Sequence, residues 1–185
     1  MLSKRALRVL LGLTLALSVS ATVLAVRYGV ADDNEHPYVG IMVFYNAANL
    51  PQWRCTGTLI SPTVVLTAGH CAELNGPARV WFGEHALDNV GYPFYDSPGN
   101  GVTGRAYTYP QWRGGLYLPD TGDAGVVVLD EPVDADFYPP LAPVGYLDQL
   151  ATARGQKDAN FEVVGYGLQE VRPRYSAIRD RLKAW

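Results

Sequence analysis

The sequence lacks several features that define other classes of protein. Its 185 residues have a formal net charge of −3, and no run of Lys or Arg is longer than two residues, so the sequence gives no sign of a basic surface of the kind that binds nucleic acid. It has no internal repeat and no low-complexity tract, and from Pro37 onward no segment sustains a helical period. These absences favour a globular chain built from strands, and they predict no nucleic-acid partner.

One long apolar run is present, and it lies at the N-terminus. Three basic residues precede the run Val9–Leu17, and small residues then lead to Ala25. This order predicts a secretory signal peptide, residues 1–25, and therefore a secreted, extracellular protein. A single membrane anchor is the alternative, because residues 9–26 approach the ~20 apolar residues that span a bilayer. The Gly, Ser and Thr residues that interrupt the run favour cleavage, so we expect no stable membrane insertion.

The sequence has only two cysteines, Cys55 and Cys71. In an exported protein an even number of cysteines predicts one disulfide, which here closes a short loop. The alternative is a metal site built from Cys55, His70 and Cys71. Adjacent His and Cys fit a tetrahedral zinc site badly, and no fourth ligand is evident. We therefore predict a disulfide, and no metal or other cofactor.

Short runs of β-branched and aromatic residues alternate with clusters of Gly, Pro, Asp and Asn. The runs that precede residue 130 are Tyr38–Tyr45, Trp53–Ile60, Val64–Thr67, Arg79–Phe82, Val102–Tyr107 and Ala124–Leu129. Many short strands with frequent turns predict an all-β barrel or sandwich. Residues 131–160 are rich in Pro, Asp and Gly and are expected to be a connection, because Pro cannot donate to a central ladder. Phe161–Tyr166 predicts one further strand, whereas the spacing in Arg172–Ala184 is helical or loop-like.

The stretch from Cys55 to Cys71 carries the clearest chemical pattern. Its sequence, CTGTLISPTVVLTAGHC, predicts a strand, a tight Ser-Pro turn and a second strand that delivers His70 at its end. A general base must be held within a fraction of an ångström of its partner, so a strand end closed by a disulfide would suit it. A surface or core role fits His36 and His85 better than it fits His70.

This stretch resembles the histidine motif of the chymotrypsin/trypsin family, C-[GS]-[GS]-[ST]-L-I…V-[LV]-[ST]-A-[AG]-H-C. Two later segments are similar to family motifs as well. The segment Thr121–Leu129 (TGDAGVVVL) is similar to the family's D-I-A-L-[LIV]-x-L segment, and Val164–Gly167 (VGYG) is similar to the G-[WY]-G of the second barrel. The resemblance implies a trypsin-like double β-barrel, with the first barrel complete at residues 26–130 and the second only begun within residues 131–185. It also implies that His70 is the general base, that Asp123 orients it, and that polypeptides are the substrates.

One part of the family pattern is missing. The family's nucleophile lies in the motif G-D-S-G-G, and this motif does not occur in the sequence. The only serine after Asp123 is Ser176, which has no flanking glycines. We therefore expect a chain truncated before its nucleophile and inactive by itself. The alternatives are a non-catalytic secreted module that binds partners through its barrel, and a chain that regains activity with a separately encoded second half.

A further resemblance concerns the segment after Ala25. Val26-Arg27-Tyr28-Gly29 is similar to the I-[VT]-x-G start of active family members. The resemblance implies that signal cleavage would itself expose the activating amine of Val26. N-terminal sequencing of secreted material that began at any other residue would contradict this hypothesis.

Overall fold

The computed structural model describes residues 29–85, 101–115, 120–152, 155–156, 161–167, 170–172, 175–177 and 180–184. The predicted leader and Val26 lie outside these residues. The helices are α1 (Gly69–Ala72) and α2 (Tyr146–Leu150). The strands, in chain order, are β1 (Val30–Ala31), β2 (Val39–Tyr45), β3 (Pro51–Ser61), β4 (Val64–Thr67), β5 (Pro77–Trp81), β6 (Val102–Thr108), β7 (Gly125–Leu129), β8 (Ala151–Thr152), β9 (Gly155–Gln156), β10 (Val163–Gly165), β11 (Glu170–Arg172), β12 (Tyr175–Ala177) and β13 (Leu182–Ala184).

Strands β2 to β7 form a closed antiparallel barrel in the order β2-β3-β4-β7-β6-β5. Strand β2 pairs with both β3 and β5, and this double pairing closes the circle. The all-β class and the complete first barrel are confirmed. Strand β4 has the predicted bounds, and the other five strands begin and end within two residues of the predicted ones. The sequence predicted these strands well because their period-two patterns and turn residues are local.

The side chains of β2 alternate between two apolar clusters. Met42 and Phe44 belong to a cluster that also contains Leu59, Val65 and Val127. Ile41, Val43 and Tyr45 belong to a second cluster, with Trp81 and Tyr166. Successive side chains of a strand point to opposite faces, so β2 is buried on both faces. This explains why its sequence, VGIMVFY, is an almost continuous apolar run.

A second sheet joins the two ends of the described chain. Its order is β1-β13-β10, with Val30 opposite Lys183 and Gly165 opposite Leu182. The prediction of helical or loop-like structure for Arg172–Ala184 was wrong, because this stretch contains β12, β13 and the last residue of β11. Strand β13 pairs with β1, about 150 residues earlier in the chain, and such distant pairing overrides a weak local pattern.

The described residues between 131 and 156 are less irregular than the predicted connection. They contain the helix α2 and the antiparallel pair β8–β9. Several apolar side chains of this region and of the segment after it are exposed, among them Leu141, Val144, Leu147 and Phe161. Among the residues that the structure describes, no helix is long and apolar enough to cross a membrane.

A buried ion pair links the segment after β1 to the start of β13. Arg181 Nε donates to Asp32 Oδ2 at 2.8 Å, and both side chains are fully buried. The guanidinium also donates to the carbonyl of Val39 at 3.0 Å and to Asn34 Oδ1 at 2.8 Å. His36 completes the cluster, because its Nδ1 lies 2.6 Å from Asp32 Oδ1. The sequence did not predict this cluster.

Candidate active site

His70 lies in α1, a single helical turn directly after β4. Ala68 is extended, with φ −81° and ψ 151°, and its carbonyl accepts hydrogen bonds from the N–H groups of Cys71 at 3.2 Å and Ala72 at 3.3 Å. The chain therefore turns from strand to helix at Ala68. Gly69 allows α1 to approach the chain before β7, since a β-carbon at Gly69 would lie 2.9 Å from the carbonyl oxygen of Ala124.

Two contacts fix α1 to strand β3. A disulfide joins Cys55 to Cys71, with their α-carbons 6.3 Å apart, and Trp53 Nε1 donates to the Cys71 carbonyl at 2.8 Å. The ligand atoms of Cys55, His70 and Cys71 all lie within 4.8 Å of one another. While the disulfide is intact neither sulfur is a thiolate, and the thiolate is the form that binds metal. The cluster therefore serves to position His70.

We expect the disulfide to contribute much of the stability of this hairpin. Its two cysteines are 16 residues apart, and closing a loop of that size stabilises the native state by about 3 kcal/mol. The double variant Cys55→Ala/Cys71→Ala should lose about this much free energy of unfolding in urea titrations. Wild-type protein unfolded with a reductant present should lose a similar amount, and the variant should not respond to the reductant. Equal stability of the oxidised and reduced wild-type chains would contradict the prediction.

Asp123 is presented by a tight turn before β7. Gly122 has φ +55°, a left-handed conformation that favours glycine. The N–H of Asp123 donates to Thr121 Oγ1 at 3.3 Å, and the N–H of Ala124 donates to the Gly122 carbonyl at 2.8 Å. Strand β7 then begins at Gly125, which pairs with Thr67 at the end of β4. The ladder between β4 and β7 thus brings the turn beside α1.

The carboxylate of Asp123 binds His70 at two places. Nδ1 of His70 lies 2.9 Å from Oδ2 and 3.1 Å from Oδ1, and the backbone N–H of His70 donates to Oδ1 at 2.8 Å. The Asp123 side chain is 15% exposed, whereas that of His70 is 57% exposed. Within the described part of the chain, Nε2 of His70 has no hydrogen-bond partner. The arrangement therefore holds one ring nitrogen and presents the other to solvent.

The environment keeps Asp123 ionised. Burial alone would raise the pKa of its carboxyl, but hydrogen bonds from the backbone and ring of His70, together with the attraction of that ring, outweigh burial and lower the pKa. An ionised carboxylate only accepts hydrogen bonds, so the Nδ1 that faces it carries the proton. In the neutral ring Nε2 is then left with a free lone pair. The pair can therefore take a proton at Nε2.

A family model described as Trypsin matches residues 27–178 of the sequence, which is most of the chain. The chain belongs to the trypsin family. The closed barrel and its disulfide-bonded histidine turn are therefore the first barrel of the trypsin fold, as the sequence motifs predicted. By family the chain is related to serine proteases, which are hydrolases that act on peptide bonds.

Solved structures are similar to this chain at low sequence identity. HL collagenase is 15% identical with a TM-score of 0.50, and the alignment covers 80% of this chain and 57% of the collagenase chain. GrC (granzyme C) is 18% identical with a TM-score of 0.48, and the alignment covers 84% of this chain and 62% of that one. The chain thus spans less than two thirds of the length of either. No curated protein matches the sequence.

Three further residues concern the candidate site. Trp112 lies beside the histidine, with 6.4 Å between the centres of the Trp112 and His70 rings. Sequence reasoning missed Trp112, because it lies in the turn after β6 and no local pattern connects it to His70. Ser176 is in β12, paired with Val171, so it belongs to a strand. Val26 lies outside the described residues, and its predicted role stays a prediction.

Proposed function

We propose that this chain supplies the general base and the orienting acid of a secreted serine endopeptidase that acts on polypeptides. The observation that supports the proposal most strongly is the pair of contacts from Asp123 to the ring and to the backbone N–H of His70. The backbone contact fixes the carboxylate, and the ring contact fixes the tautomer. A merely structural aspartate would need neither an exposed imidazole nor a free Nε2 beside it.

In the proposed reaction His70 Nε2 removes the proton of a serine hydroxyl as its oxygen attacks the peptide carbonyl carbon. His70 then returns the proton to the leaving amine, which breaks the C–N bond and leaves an acyl ester on the serine. Water, activated by the same Nε2, hydrolyses the ester and restores the serine. Asp123 stays ionised throughout and stabilises the imidazolium.

The family's nucleophile motif is missing from residues 1–185. G-D-S-G-G does not occur among them, and the serine would have to come from another segment. The proposal is therefore limited to base and orienting acid, and the chain by itself is proposed to be inactive. Secretion is part of the same proposal and is supported by the leader-like residues 1–25 and by the disulfide.

A fluorophosphonate probe tests the proposed inactivity. Such probes label only an activated serine, so the purified 185-residue chain should remain unlabelled under conditions in which trypsin is labelled completely. It should also release no product from peptide substrates above the rate of a His70→Ala control. Labelling that mass spectrometry maps to Ser176, and that His70→Ala abolishes, would overturn the proposal.

A further inference from the structure

A second concave site lies where the connection after β7 crosses the barrel. It is a cavity of about 330 Å³. Its walls come from the barrel and from the connection, and the lining apolar residues are Pro37, Leu59, Phe82, Val133 and Ala135. His70, Asp123 and Trp112 do not line it, so it is separate from the candidate active site. A cavity of this size is within the range of ligand sites in proteins.

The wall formed by the connection is held in place by hydrogen bonds. The N–H of Val133 donates to the carbonyl of Pro62 at 2.8 Å. The Tyr138 hydroxyl donates to the carbonyl of Val133 at 2.9 Å and accepts from the N–H of Ala135 at 3.2 Å. Val133 and Ala135 also pack against the barrel core. The cavity is therefore preformed, and a ligand need not order this loop first.

Two carboxylates stand among the apolar walls. Asp134 and Asp136 line the cavity together with the apolar residues and are exposed to solvent. Neither has a hydrogen bond or ion pair with the residues that the structure describes. The nearby guanidinium of Arg181 donates to the carbonyl of Phe82 and forms its ion pair with Asp32. The charge of the two aspartates is thus left available to a ligand.

We propose that this cavity binds the side chain of a lysine or arginine presented by a partner polypeptide. Such a side chain has an aliphatic stem that packs on apolar walls and a cationic head that seeks water or a carboxylate. Phe82 and Val133, which line the cavity and are partly exposed, would contact the stem, and Asp134 and Asp136 would contact the charged group. The charge and the apolar lining of the cavity together favour this occupant over an anionic or purely apolar one.

The proposal concerns binding alone and does not depend on the proposed catalysis. An exposed ion pair contributes about 0.2–1 kcal/mol, which corresponds to at most about a fivefold change in dissociation constant for each pair. Neutralising the two aspartates should therefore weaken the binding of a cation by about two- to tenfold. The binding of a neutral molecule with the same stem should not change.

NMR titrations of the full chain test the proposal with simple probes. We expect n-hexylammonium to shift the amide signals of Phe82, Val133 and Ala135 saturably, and hexan-1-ol to bind about two- to tenfold more weakly. The double variant Asp134→Asn/Asp136→Asn carries both substitutions on the surface. Its affinity for hexylammonium should fall to its affinity for hexan-1-ol. Equal affinity of the two probes for wild type, or an unchanged double variant, would overturn the proposal.

A peptide then distinguishes a partner polypeptide from a small amine. A short acetylated and amidated peptide with Leu-Lys-Leu at its centre should shift the same signals, and its acetyl-lysine counterpart should not. Hexylammonium binding without peptide binding would contradict the polypeptide partner. Peptide binding that survives acetylation would contradict the role of the cation. A His70→Ala chain should behave as wild type in every titration, which separates this inference from the proposed activity.

Discussion

Replacing Arg181 by Met should lower the free energy of unfolding by about 3–5 kcal/mol, the range expected when one partner of a buried ion pair is removed. The substitution leaves the fully buried carboxylate of Asp32 without its cation, and it also breaks the contacts to Asn34 and to the Val39 carbonyl. Urea titration with tryptophan fluorescence measures the change.

Two control variants distinguish the cost of leaving a carboxylate buried without its cation from the effect of removing a basic side chain. Lys183 lies two residues further on, in β13, and pairs with Glu35 at the surface. Lys183→Met should cost much less than Arg181→Met, because Glu35 is 59% exposed and stays solvated when its partner is removed. The double variant Asp32→Leu/Arg181→Met should recover much of the loss, since no charge is then left buried. A loss in Arg181→Met no larger than that in Lys183→Met would contradict the account.

The same cluster predicts how stability depends on pH. Burial raises the pKa of Asp32, but hydrogen bonds from His36 and Arg181 and the charge of Arg181 outweigh burial and leave the pKa below its ordinary value of 3.8. The unfolded chain therefore binds a proton more readily than the folded chain does. The contribution of Asp32 is present above pH 3.8 and is lost as the pH falls through the lower pKa of the folded state.

Replacing Asp123 by Asn should have the largest effect on catalysis. In a polypeptide that carries this chain together with a G-D-S-G-G segment, we expect kcat to fall about 10⁴-fold, as expected when the carboxylate of a serine-protease triad becomes an amide. The amide can donate to Nδ1, which stabilises the wrong tautomer and places the proton on Nε2. A matched Asp120→Asn variant, three residues earlier, should keep full activity. A loss of less than tenfold in Asp123→Asn would contradict the proposed role.

Local patterns predicted the barrel and the contact between His70 and Asp123, whose catalytic roles stay predictions. Contacts between distant parts of the chain account for what these patterns missed. Val64–Thr67 and His70 were found because a strand, a turn and a family motif all lie within one short stretch. Asp123 was found by its motif, although the motif gave no sign that its carboxylate also binds the backbone N–H of His70. The ion pair of Asp32 with Arg181 joins residues 149 positions apart, and no local pattern records such a contact.

The most direct test of the central claim is the tautomer of His70, measured by the ¹⁵N chemical shifts of its ring in the 185-residue chain and assigned with a His70→Gln variant. We expect the neutral ring to carry its proton on Nδ1, with a strongly downfield Nδ1–H signal that is lost in Asp123→Asn. A neutral ring protonated on Nε2, or a spectrum of His70 that is the same in wild type and Asp123→Asn, would contradict the pairing of His70 with Asp123.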